Sequence, residues 1–411
     1  MKLLLVVAYF IPEIGSAAHV YFDLAKAFVN HGHKVHVLTS YPREFNLEEN
    51  DKNKNFPLDE IIDGVHVHRC RHPAQRDNVM LRGLEHFVLP RYYFKTFKHL
   101  GMKFDACLMY IPPLPLYYLA RKIKKHDRTP SVLNFQDFHP QELTDVGVMK
   151  NPFYIKVMKH IESQAYRHAD HITVLTKGGV DYVVNRGADP TKVTHIYNAV
   201  NLKEMKEYAK RKDFKQKQEI EDKFLVSYAG ILSPYQGIDN ILDAAKQLID
   251  HEDIIFYIVG DGTIKDHLEE RIQNEELTNV QLLPFQPRSE YFNVVNSSDV
   301  SLVSLDERMK APCLPGKIIN LFGVGQPIIA SVASDSETAY VVNKAGGIVV
   351  ESGDPVGLSE TILKISNEPT IRKDIGVIGK NFHQENMNLN RNIEQYITIF
   401  YNMINKDSIV V

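Results

Sequence analysis

The sequence predicts an α/β protein built of two doubly wound domains. Short apolar runs of strand length alternate with amphipathic runs of helix length through the first half, and the alternation starts again after a polar break near residue 200. Length agrees, because 411 residues exceed one ordinary core and divide naturally into two domains of about 200 residues. A strand, a helix and a further strand need a crossover. Both sheets should therefore be mainly parallel, with helices on both faces.

In the first half the strand candidates are Lys2–Ala8, Lys34–Thr39, Val65–Arg69, Ala106–Tyr110, Ser131–Phe135, His171–Leu175 and Val193–Ile196. Helical patterns lie between them at Ala17–His31, Leu116–Lys125 and Ile155–His168. The Lys-rich run that follows Asn201 reads as a linker with some helix. The second series has strands at Phe224–Ala229, Ile254–Val259, Val280–Pro284, Asp299–Ser304, Pro327–Val332 and Gly347–Val350. Its helices are Ile238–Ile249, Thr263–Asn274, Ser289–Asn296, Lys317–Phe322, Ser336–Lys344 and Pro355–Ser366. Domains of 1–200 and 201–390 follow, facing an interdomain cleft onto which the C-terminal strand ends open. A last helix within 391–411 has no strand after it and is expected to pack on the first domain.

Composition is that of a soluble globular protein, with 44% apolar and 24% charged residues. No apolar run is long enough to span a membrane, and the opening MKLLLVVAYFIPEIG reads as a first buried strand. Cys70, Cys107 and Cys313 form no metal or CxxC spacing, which fits a reducing cytoplasm. The net charge of −3 hides an asymmetry: residues 1–200 carry +6 and the remainder −9. Much of the positive charge lies in Arg82–Lys103, where cations alternate with aromatics. A helix lying on an anionic membrane surface explains that mixture, and so does a solvated helix with its rings in the core.

Four loops should carry anion chemistry. Gly15 and Ser16 lie in a strand-to-helix turn of small residues; Gly230, Ser233 and Gln236 follow the Phe224–Ala229 strand; Gly260 follows the next. The fourth, Leu314-Pro315-Gly316-Lys317, opens a helix whose free N–H groups and dipole favour an anion, with a lysine charge added. Asp137 and His139, after the Ser131–Phe135 strand, could orient a sugar hydroxyl or move a proton, or Asp137 could merely cap its loop. Motifs for zinc, a metal-binding Asp-x-Asp, a P-loop and a dinucleotide fingerprint are missing, as is the basic stripe of a nucleic-acid binder. No required metal, no cofactor and no nucleic-acid partner are therefore expected.

Several stretches, met in order, carry a resemblance: PEIGSAAHVYFDLAKAFVNHGHKVHVLTSYP, NFQDFHPQELTDVG, VSYAGILSPYQGIDNILDAAKQL, FYIVGDGTIKDHLEERI and LPGKIINLFGVGQPIIAS. Together the chain resembles the retaining nucleotide-sugar glycosyltransferases of family 4, in particular the subgroup building capsule, O-antigen and colanic-acid-type polysaccharides. The resemblance implies two Rossmann-like domains in the GT-B arrangement, a UDP- or GDP-linked sugar donor as substrate, and a lipid-linked or glycan acceptor. A cytoplasmic protein, peripheral on the membrane's inner face if the Arg82–Lys103 helix lies on anionic lipid, is expected from the cysteines and that stretch. By the resemblance Gly15 and Ser16 would lie by the donor phosphates, and Gly316, Lys317 and Gln236 at the diphosphate. Gln136-Asp137 stand where His-Asp is more usual, Asn320 where a ribose-binding Glu is common, Pro312 for its partner Glu and Ile231 for an Arg. These departures leave positive charge at the diphosphate resting mainly on Lys317 and helix N-termini. A nucleotide-sugar 2-epimerase and a non-catalytic sugar-nucleotide binder are the rival readings.

Overall fold

Runs such as Leu3-Leu4-Leu5-Val6 are buried on both faces, which is what a parallel strand inside a doubly wound sheet requires. The computed structural model describes every residue except 44–46, 48–50, 74–78, 209 and 410–411. Two units result. Unit 1 comprises Met1–Thr144, Met149–Ala199 and Leu389–Val411; unit 2 comprises Asp145–Val148 and Val200–Asn388.

The sheet of unit 1 contains β1 (Lys2–Val6), β2 (Lys34–Ser40), β3 (Asp59–Ile62), β4 (Val65–Cys70), β5 (Ala106–Ile111), β6 (Ser131–Phe135), β7 (His171–Val174) and β8 (Val193–His195). Their order is β3-β4-β2-β1-β5-β6-β7-β8, and every pairing is parallel except β3 with β4. The order reverses between β1 and β5. Leu3, Leu5, Val35, Val37, Ala106 and Leu108 form the centre of the core. The last helix, Leu389–Ile409, closes this core: the Phe400 and Tyr396 rings lie 5.9 and 6.2 Å from that of Phe28. Asn392 Nδ2 donates to the Tyr197 carbonyl, which ties the helix to the chain just after β8.

Unit 2 has β9 (Phe224–Ala229), β10 (Ile254–Val259), β11 (Val280–Leu283), β12 (Val300–Ser304), β13 (Ile328–Ser331) and β14 (Ile348–Val350). They run β11-β10-β9-β12-β13-β14, all parallel, with the reversal between β9 and β12. Both units are thus doubly wound, as the alternation of runs predicts.

Some elements depart from the expectation, among them a strand and a long helix. β3 was not foreseen, because Asp59-Glu60-Ile61-Ile62 lacks an apolar run; antiparallel pairing with β4 makes it a strand. Helix Pro369–Asn386 was also not foreseen, and it supports the helix Lys317–Val324 from behind. A Cβ on Gly376 would lie 2.3 Å from the Gly325 carbonyl oxygen, so glycine there lets the two backbones meet.

Helix Val79–His99 decides between the two explanations of the basic stretch as far as its rings go. Tyr93 and Phe97 are fully buried, while Arg91, Lys95 and Lys98 are exposed. Those two rings belong to the core, Phe87, Tyr92 and Phe94 are half-buried, and the three charges face outward. The side chain of Arg82 lies outside the described residues. No described helix is long and apolar enough to cross a membrane.

Candidate functional site

Parallel sheets bind ligands beyond the C-terminal ends of the strands where the order reverses. In unit 2 those strands are β9 and β12. The loop after β9 holds Gly230, Ser233 and Gln236; the segment after β12 leads through Leu314 and Pro315 to Lys317. Helix Lys317–Val324 begins there, with Gly316 as its N-cap at φ −58° and ψ −23°. Those dihedrals suit any residue, so the backbone conformation by itself does not demand glycine there.

Lys317 reaches back to β9. Its Nζ lies 3.6 Å from the centre of the Tyr228 ring and donates to Gln236 Oε1 at 3.3 Å. A Cβ on Gly230 would come within 2.7 Å of that nitrogen, so the residue must be small for the ammonium to occupy this place. The Tyr228 hydroxyl lies 2.9 Å from Gln236 Oε1 and 3.0 Å from the Ile231 carbonyl oxygen, both acceptors for its one hydrogen. Burial pushes the lysine down to about 7, since an ammonium loses its hydration there without gaining a carboxylate.

The remaining predicted residues of unit 2 divide by role. Ser233 caps the short helical turn Pro234–Gln236 without a side-chain hydrogen bond, and Leu314 is buried. Gly260 packs against backbone: a Cβ would sit 1.9 Å from the Gly230 carbonyl oxygen. Its glycine therefore lets the β9 and β10 loops touch. Asn320 faces Tyr291, which it hydrogen-bonds, and its Oδ1 is buried with no hydrogen-bond partner among the described residues.

In unit 1 the reversal lies between β1 and β5, and β6 is the next strand. Gly15 caps helix Ser16–Asn30 at φ 140° and ψ 155°, a conformation that glycine adopts far more readily than other residues, and Ser16 is exposed at the first helical position. After β6, Gln136 turns inward. Its amide exchanges hydrogen bonds with that of Asn198 and donates to Asn134 Oδ1, which also accepts from the Tyr21 hydroxyl. Asn134 Nδ2 in turn donates to Thr173 Oγ1 and the Tyr396 hydroxyl, so the network ties β6, β7, the segment after β8 and helix Ser16–Asn30 to the last helix.

Asp137 and His139 come together with Glu142, their ligand-type atoms all within 4.8 Å of one another. Glu142 Oε1 accepts from the Phe138 N–H at 2.8 Å, and Oε2 lies 3.9 Å from His139 Nε2. Burial raises the Asp137 carboxyl to about 6 and lowers the His139 imidazole to about 4. At neutral pH this leaves a carboxylate next to an uncharged imidazole, able to accept a proton or orient a hydroxyl. Sequence reasoning singled out neither Glu142 nor Tyr228. Glu142, three residues after His139 in the same polar loop sequence, was the available signal for the first; Tyr228 lay hidden in an apolar strand.

Residues 209–382 match the family described as "Glycosyl transferases group 1", and residues 15–199 match "Glycosyl transferase 4-like domain". The chain belongs to the family 4 glycosyltransferases. It is similar to WcaI of Escherichia coli (strain K12), named as a colanic acid biosynthesis glycosyl transferase, with 22% identity over 85% of this chain and 88% of that one. An Escherichia coli enzyme named UDP-Gal:alpha-D-GlcNAc-diphosphoundecaprenol alpha-1,3-galactosyltransferase is 26% identical over 49% of this chain and 51% of its own length. The crystal structure of Anabaena Alr3699/HepE in complex with UDP and glucose has the same fold, with a TM-score of 0.72, 14% identity, and coverage of 98% of this chain and all of that one. This family 4 member is an enzyme with the GT-B fold. The matched families are transferases, which leaves the isomerase alternative without support.

Proposed function

We propose that the enzyme moves a sugar from a nucleotide-diphosphate donor, UDP- or GDP-linked, to a lipid-linked or glycan acceptor in cell-surface polysaccharide synthesis, retaining the anomeric configuration and needing no metal. The observation that carries this reading is the Lys317 ammonium, desolvated at the start of a helix beyond β9 and β12 with a ring and an amide as its partners. A half-buried cation with no carboxylate beside it is costly unless a ligand brings the counter-charge. A donor diphosphate brings it, and gains negative charge as the sugar leaves, which is when a fixed cation and helix dipole stabilise most. The names of the relatives support the substrate class: one carries UDP-Gal and a diphospholipid acceptor, another colanic acid.

In this reading Gly230, Ser233, Gln236, Gly260 and the Leu314–Lys317 segment of unit 2 take the donor, with Asn320 toward its ribose, and Gly15 and Ser16 of unit 1 keep the donor-phosphate role that the family resemblance implies. Asp137 and His139 orient the transferring sugar and the acceptor hydroxyl. Gln136 acts through Asn134 and Asn198 and holds the loop that carries them. The exposed cations of helix Val79–His99 offer a peripheral contact to an anionic membrane face.

Donor consumption by the purified enzyme, with a membrane extract as acceptor and a chelator present, tests the assignment. Lys317→Ala is expected to lower turnover by at least a hundredfold, on the order of losing one charge-stabilising donor. Full turnover in that variant overturns the diphosphate assignment, and loss of parent activity in the chelator overturns metal independence.

A further inference from the structure

We infer that Tyr228 is a positioning residue for the transfer: its ring carries the Lys317 ammonium, and its hydroxyl fixes, through Gln236, the place where that charge meets the donor diphosphate. The inference rests on the reading of Lys317 as the diphosphate ligand and adds a residue that neither the sequence motifs nor the family match assigns.

The geometry argues for a dedicated seat. Tyr228 is 1% exposed near the end of β9, at the strand reversal, so its ring is fixed by the sheet. The ammonium lies over the ring face at 3.6 Å, well inside the distance at which a ring quadrupole attracts a cation. Among the described residues, Nζ is met by this ring from β9, the Gln236 oxygen from the turn after it and the bare Gly230 backbone between them. Burial accounts for the lysine's displaced titration, with no carboxylate contributing. Burial also holds the Tyr228 hydroxyl protonated, so it remains a donor to the Gln236 oxygen.

The choice of an aromatic seat has a chemical reason. A carboxylate partner would hold the ammonium in place but would cancel its charge and repel the incoming diphosphate. A ring attracts the cation while adding no formal charge, so the full positive charge stays available to the ligand. The hydroxyl, by engaging Gln236 Oε1, aims that oxygen at Nζ and limits where the flexible lysine can go. A tyrosine that served only the core would need neither the ring contact nor the shared acceptor.

Isothermal titration calorimetry with UDP and with GDP, across about pH 6 to 9, tests this. The protonated lysine binds the diphosphate, so affinity falls as pH rises through the free protein's titration near pH 7. Removing the ring in Tyr228→Leu withdraws what favours the charged form. The fall is expected to begin about one pH unit lower, with affinity at pH 7.5 down roughly tenfold. Tyr228→Phe keeps the ring and is expected to keep the parent's pH midpoint, with a loss of a few-fold from the freed Gln236. A merely structural tyrosine would change stability without moving that midpoint.

If Tyr228→Leu does not fold, progressively fluorinated phenylalanines at position 228 replace it. They keep the shape while weakening the ring quadrupole, and the midpoint should drop stepwise along the series. A midpoint unmoved in Tyr228→Leu or across the fluorinated series, while Lys317→Ala loses affinity, overturns the role of Tyr228 and leaves the diphosphate reading standing. Undiminished affinity in Lys317→Ala overturns both.

Discussion

Two glycines show how one substitution separates function from stability. At Gly230 the added methyl would meet the mobile end of Lys317, 2.7 Å away, and that end can swing aside. Gly230→Ala is expected to leave the unfolding free energy within about 0.5 kcal/mol of the parent and to weaken UDP or GDP binding about tenfold, as for loss of one charge-assisted contact. At Gly260 the same methyl would meet the Gly230 carbonyl at 1.9 Å, which only a backbone shift relieves. Gly260→Ala should cost about 1–3 kcal/mol, read by urea unfolding. Equal stability loss in both variants would contradict the distinction. Sequence spacing put both glycines in anion-binding loops and could not tell them apart, because the difference lies in which atoms cross the loop. Tyr228 was illegible for a related reason: within the run FLVSYAG an aromatic reads as core, and only the folded contact with Nζ shows that it lies against Lys317. Gln136 was legible as a loop residue but not as an inward one, since its partners Asn134 and Asn198 are joined by folding.

Among the elements, those with an apolar period of their own were readable and those made by their neighbours were not. Strands β5, β6, β9 and β10 follow the predicted runs because a strand buried on both faces must be continuously apolar. β3 exists through its pairing with β4, and helix Pro369–Asn386 has only Ile375, Gly376, Gly379 and His383 buried along its length. That helix buries His383 completely, beside Gly323 of the helix Lys317–Val324, and neither ring nitrogen has a hydrogen-bond partner among the described residues. Burial holds the imidazole down to about 4, so the folded protein refuses a proton that the unfolded chain accepts at about 6.5. Stability is then fully present above the unfolded value and declines as pH falls from about 6.5 to about 4, by up to about 3 kcal/mol. Hydrogen exchange or denaturant unfolding of unit 2 over that range should show the decline, and His383→Leu should flatten it. An unchanged slope in the variant would assign the acid sensitivity to other groups.

At the scale of the whole molecule the charge is divided, +6 over residues 1–200 against −9 over the rest. Such a division makes the first half of the chain the one suited to meet an anionic surface. The cations that can act are those the core leaves outside. Arg91, Lys95 and Lys98 on helix Val79–His99 are exposed, as are Arg121 and Lys125 on the neighbouring helix Tyr117–Asp127, and Lys98 and Lys122 share the Phe94 ring at 5.5 and 5.7 Å. Because Tyr93 and Phe97 are committed to the core, attachment would be mainly electrostatic, without deep insertion of those rings. The enzyme is expected to sediment with phosphatidylglycerol-rich vesicles at low salt, to be released as salt rises, and to ignore neutral vesicles. Each lysine or arginine near such a surface contributes about 1 kcal/mol, so replacing Arg91, Lys95 and Lys98 by Ala should weaken partitioning on the order of a hundredfold. These exposed positions are not among the residues assigned to the donor or the acceptor, and turnover on a soluble acceptor analogue should survive the change. Absence of binding to anionic vesicles at low salt would remove the membrane face from the proposed function and leave the charge division as a matter of solubility alone.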